Sequence, residues 1–180
     1  MPLSTLDRQL IARFRDKLKA RYAGDARFSS VSVDDRRDES SFATRFAAAP
    51  HVWVDVVLRP HIPQLRAGIV SDDRWLNADF EDAIEASGDT MGEFVELGFE
   101  EAGLTWRSPI VEHYREISED SASGSGQPAT FFYFATAFEL ANLNALSDAA
   151  VFDKVCRMLE GYYEAFRPTI EKIVAAAAAE

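Results

Sequence analysis

Two β-rich runs dominate what this chain can become. The first, His51-Val-Trp-Val-Asp-Val-Val-Leu-Arg59, is followed after Pro60-His-Ile-Pro63 by Gln64-Leu-Arg-Ala-Gly-Ile-Val70. β-branched and aromatic side chains favour extended backbone, and a short proline-bearing connection brings the second run back antiparallel to the first. Along the first run Val52, Val54, Val56 and Leu58 share one side, and Trp53, Asp55, Val57 and Arg59 the other. One sheet face is therefore core and the second only partly apolar. A third run, Ala129 to Ala141, carries aromatics on both faces (Phe131, Phe132, Tyr133, Phe134, Phe138) and predicts a central strand.

Helical periodicity frames these strands. Leu6, Leu10, Phe14, Leu18 and Tyr22 recur every four residues and predict an amphipathic helix over 5–23, closed near Gly24. Ser71 followed by Asp72 and Asp73 predicts a capped helix to Ser87, stopped by Gly88, and the Thr90-Met-Gly-Glu93 capping box predicts another before Gly103. Ser147 is the expected cap of a long C-terminal helix with the stripe Val151, Val155, Leu159, Tyr162, Phe166, Ile170, which Pro168 is expected to kink or divide.

Residues 28–50 read as loop around short strand pieces such as Phe28 to Val33, Leu104 to Arg107 as a short strand, and Ile110 to Ile117 as strand or helix. The Ser/Gly-rich stretch Ser118 to Pro128 reads as a flexible loop. Together these predict one α+β domain over 1–180: a mainly antiparallel sheet with helices packed on one face and a long C-terminal helix.

Composition narrows the class. Apolar residues at 47% and aromatics at 12% exclude a disordered chain. A lone cysteine, Cys156, permits no internal disulfide and is expected to be a buried, inert thiol. The N-terminal residues lack a signal-peptide pattern and no run is long and apolar enough to span a bilayer, so a cytoplasmic protein that meets no membrane is expected.

Charge is unevenly spread. Of the net −11, −10 lies between Asp72 and Glu101, where eleven carboxylates face only Arg74; residues 1–28 are basic, with seven Lys/Arg and three Asp/Glu. Phosphate neutralisation by such a chain is poor, so nucleic acid is not an expected partner. Mutual repulsion of the 72–101 carboxylates should also lower the melting temperature as NaCl falls from 500 to 10 mM near pH 7. A melting temperature flat over that range contradicts this expectation.

The sequence holds almost no motif that carries chemistry. There is no phosphate-cradling glycine loop, no nucleophile elbow, and no Cys/His spacing suited to zinc, so no catalytic residue, metal or cofactor is assigned. The segment Phe131 to Leu146, with the order of elements and the acidity, is similar to small acidic chaperones of bacterial secretion systems, a resemblance that implies a dimer whose apolar grooves hold an unfolded segment. Gly103-Leu-Thr-Trp106 with Ala165-Phe-Arg-Pro168 resembles a small α+β domain found beside restriction-type nuclease domains. Neither resemblance carries a diagnostic motif, so neither assigns a residue.

The expectation is a non-enzymatic protein-interaction or chaperone-like bacterial module, self-associating as a homodimer or binding a protein partner. Trp53, Trp75, Trp106, Phe132 and Phe138 are its candidate contact residues. The alternatives are a small hydrolase-type enzyme built around Asp55 with His51, His61 and His113, or an acidic mimic of nucleic acid.

Overall fold

The computed structural model describes residues 2–117 and 129–180. Among these residues six strands form one antiparallel sheet: β1 (Val31–Asp35), β2 (Phe42–Ala49), β3 (Val52–Arg59), β4 (Gln64–Ser71), β5 (Glu112–Ile117) and β6 (Thr130–Glu139), in the order β1-β2-β3-β4-β6-β5. Four helices accompany them: α1 (Thr5–Arg21), α2 (Arg74–Ser87), α3 (Met91–Glu101) and α4 (Ala149–Ala178). The α+β class with a long C-terminal helix is thus shown. Among the described residues no helix is long and apolar enough to cross a membrane.

The core lies between one sheet face and α1 and α4. Val52, Val54, Val56 and Leu58 project there from β3, joined by Leu65, Ala67 and Ile69 of β4 and Phe134 of β6. Facing them are Leu10, Ile11, Phe14 and Leu18 of α1 and Val155, Met158, Leu159, Tyr162, Phe166 and Ile170 of α4. Cys156 is buried in the same cluster, beside Tyr22, the residue that closes α1. Tyr162, fully enclosed, shares a 2.6 Å hydrogen bond with Thr136, so its hydroxyl is satisfied inside the core.

Several local expectations give way to tertiary structure. Phe42–Ala49 is a full strand between β1 and β3, although its Ala-rich sequence has weak β propensity; pairing on both sides holds it extended. Leu104 to Arg107 pairs with no strand among the described residues and is not one itself, whereas Glu112–Ile117 is one. Ser71 still belongs to β4, opposite Val52, so the cap of α2 passes to Asp73, which accepts from the amides of Trp75 and Leu76. A 3₁₀ turn over Leu143–Ser147 likewise hands the cap of α4 to Asp148.

α4 also runs through Pro168 as one helix. Pro168 is exposed, so water can reach the Glu164 carbonyl that proline leaves without its amide partner. The predicted flexible loop, 118–128, lies outside the described residues.

Candidate functional site

α2 and α3 bring the acidic stretch against α4, and the contact is open in two places. Between α2 and the C-terminal half of α4 lies a cleft of about 720 Å³, with Leu76, Ala83, Ile173 and Ala177 as apolar lining and Asp73, Asp79, Asp82 and Glu180 as acidic lining against one cation, Lys172. Between α3 and α4 a second cleft, of about 610 Å³, sets Phe94, Leu97, Ala165 and Pro168 beside Asp89, Glu100, Glu101 and Glu164, with Arg167 as the one cation, paired to Glu164. None of the eleven carboxylates of 72–101 is buried. The helices stay apolar toward α4 because Phe80 and Ile84, and Val95 and Phe99, fall on one side at helical spacing. Leu97 remains about half exposed at 55%, an apolar group offered to whatever enters.

The opposite sheet face carries no helix among the described residues, yet its centre is buried. Register places Arg45 of β2, Asp55 of β3, Gly68 of β4 and Ala135 of β6 in one row across the sheet. Tyr133 reaches over from the adjacent row and accepts a 2.7 Å hydrogen bond from Arg45 Nη2, while Arg45 Nη1 donates to Asp34 at 2.7 Å. Arg66 stands 5.0 and 5.3 Å from the rings of Tyr114 and Tyr133, which stack on each other with their planes 6° apart. Phe131 covers the Arg45 guanidinium at 4.2 Å, and Trp53 abuts Phe131 at 6.2 Å. These long side chains cover one another, and Asp55 among them is 1% exposed.

Burial dominates the electrostatics. It pushes the Asp55 carboxyl up to about 6, against the pull of Arg45 and then Arg66. The Tyr114 and Tyr133 phenols are raised for the same first reason. Arg45 Nε lies 3.7 Å from Asp55 Oδ2, too far for a hydrogen bond.

The five candidate contact residues fall in several places. Trp53 lies on the helix-free face. Trp75 stands exposed on the first turn of α2, beside Arg74. Trp106 and Phe138 meet around the Lys154 ammonium, 4.6 and 4.3 Å away, where burial lowers the lysine pKa. Phe132 is half-buried on β6, opposite Ser71 and Arg115.

The three histidines do not converge on Asp55. His51 is in the β2–β3 turn and contacts Asp72 at 2.9 Å; His61 is exposed in the β3–β4 turn. His113 stacks on Phe134, toward the helices, 3.2 Å from Asn77. Among the described residues no cluster of three or more His, Cys, Asp or Glu has the placement to hold a metal ion.

Sequence reasoning missed Arg45 and Arg66 beside Asp55. Charged residues at sheet-interior positions of consecutive strands were the available signal, and it becomes readable once β2 is recognised. The chain matches no protein-family model, no curated protein and no solved structure.

Proposed function

We propose that this protein is a non-enzymatic binding module that takes a basic amphipathic segment of a partner protein along α4. The supporting observation is the pairing of apolar lining with rims on which four carboxylates face one Lys or Arg in each of the two clefts that flank α4. An amphipathic helix can place apolar side chains on such a floor while Lys or Arg side chains meet the rim. The α1 helix of a second copy does not suit this role, because Leu10, Ile11, Phe14 and Leu18 are committed to its own core.

A labelled synthetic helix with Leu at i, i+4 spacing and Lys elsewhere tests the reading by fluorescence anisotropy, with its Glu-substituted counterpart as the negative probe. Asp79→Lys with Asp82→Lys should weaken binding by about tenfold, roughly 1.4 kcal/mol, and Ile173→Ser by a comparable factor. Asp16→Lys with Glu139→Lys, on other exposed surfaces, should change it less than about twofold, since surface charges farther away than a Debye length are screened. Equal weakening by both charge reversals, or none from Ile173→Ser, would leave only diffuse attraction and sink the proposal.

A further inference from the structure

Among the described residues a third large cleft, of about 750 Å³, runs between the C-terminal end of α4 and the β2–β3 turn. Ala48, Pro50 and Trp53 line it on one side, and Tyr163, Ile170 and Val174 of α4 on the other. Its charge sets it apart from the clefts beside α2 and α3. Glu171 is the one carboxylate in its lining, against four in each of the other two, and Arg27, paired to Asp25 and Glu160, is its one Lys or Arg. A second copy of a chain with net charge −11 is repelled wherever two acidic surfaces face each other, and least where carboxylates are few. This cleft is therefore the one of the three that a second copy can enter.

The helix that forms one side of the groove also describes what fits it. From Ile173 to Ala178, α4 carries no polar side chain, yet Val174 is 45% exposed and Ala175 to Ala178 are exposed with it. A helix that is apolar on every side is normally a buried element, and this one is covered on part of its surface only. Alanines at 175 and 178, both lining the groove, allow a second helix to approach closely. An apolar, small-residue helix without a carboxylate between Glu171 and Glu180 is what the groove accepts, and the chain carries that helix itself.

We propose that this cleft is the two-fold interface of a homodimer, in which the end of α4 from each copy packs antiparallel against its equivalent along Val174, Ala175 and Ala178. A two-fold axis makes one patch serve both copies, as a groove whose own wall is the ligand requires. Ile173 and Ala177 line the α2 cleft from the other side of the same helix, so a dimer leaves that cleft open. The two proposals stand or fall separately.

Sedimentation equilibrium of the full chain tests the dimer. The mass should rise from that of one chain to that of two between about 1 and 100 µM, and association should be tighter in 500 mM than in 50 mM NaCl, because salt screens the repulsion between two acidic chains. Binding of the basic synthetic helix should weaken over the same salt range, which tells the two sites apart. Val174→Glu with Ala178→Glu should weaken association at least about a hundredfold, since the two-fold brings in each added carboxylate twice. Both positions are exposed and glutamate is a good helix former, so the monomer keeps its fold. Ile173→Ser, on the other side of the helix, should change association by less than about twofold. A single-chain mass at 100 µM in both salts overturns the second copy as occupant and leaves the groove to a helix of another protein. A dimer unaffected by the double glutamate variant overturns its location, and one that dissociates at high salt overturns the apolar, charge-poor contact.

Discussion

Gly98→Leu should abolish cooperative folding at 25 °C, and Gly98→Ala should lower stability by about 2 kcal/mol although alanine is the better helix former. A Cβ built on Gly98 would sit 2.3 Å from the Gly161 carbonyl oxygen and 2.7 Å from the Ala165 Cβ. On the facing helix, a Cβ on Gly161 would meet Phe99 at 2.4 Å. α3 and α4 therefore touch backbone to backbone, and a side chain there must push apart two helices whose other contacts include the Phe99–Tyr162 and Phe94–Phe166 ring pairs. Overpacking by a single Cβ against main chain costs about 1 to 3 kcal/mol, the range of the alanine variant, and a full leucine side chain in the same place costs more than the fold can absorb. Urea denaturation decides it: a midpoint raised by Gly98→Ala, as helix propensity alone dictates, would mean that the two helices have room to spare.

The second large effect concerns the sign of a pH dependence. Burial raises the Asp55 carboxyl from its ordinary value of 3.8 to about 6. Between those values the folded chain holds a proton that the unfolded chain has released, so the contribution of Asp55 favours the fold at low pH and is lost as pH rises through about 6. The difference amounts to about 2.4 kcal/mol between pH 4 and pH 7, and to about 3 kcal/mol over the whole transition. Asp55→Asn should therefore lie close to the parent near pH 4 and exceed it in stability by that order at pH 7, measured by urea denaturation.

Lowered carboxyls act in the opposite sense. Asp25, held down chiefly by its hydrogen bond from Arg27, contributes stability that disappears as pH falls below about 4. Arg45→Met should destabilise at every pH by about 3 to 5 kcal/mol, because it strips Asp34 and Tyr133 of a buried partner. Parallel pH profiles for the parent and Asp55→Asn would show that Asp55 does not titrate in this window.

Much of the architecture is written locally. The β3–β4 pair, the capping box at Thr90 and the four-residue stripes of α1 and α4 each express a short-range rule that packing then reinforces. What escapes local reading depends on neighbours in space. β2 is an alanine-rich strand made extended by β1 and β3, and β5 gains its strand character only beside β6. The charge cluster is harder still, because Arg45, Asp55, Arg66 and Tyr133 become adjacent only through the registers of four strands. Asp55 stands out in its own run as the one charge flanked by valines, but its partners come from three other strands. The acidic clefts escape for a related reason: the sequence displays their rims, while the apolar floor belongs partly to α4, some seventy residues further along the chain.

The enclosure of Cys156 turns a single sulfur into a clock. A disulfide reagent such as DTNB can react with it only while the surrounding packing is open, so the trapping rate at fixed reagent reports how often the chain exposes that spot. Tyr22, at the end of α1, donates to the Cys156 carbonyl at 3.2 Å, which places the thiol along the seam where the first helix meets the last. If trapping and global denaturation give the same free energy, the two helices part only when everything does; a smaller value from trapping marks α1 as a piece that peels away by itself.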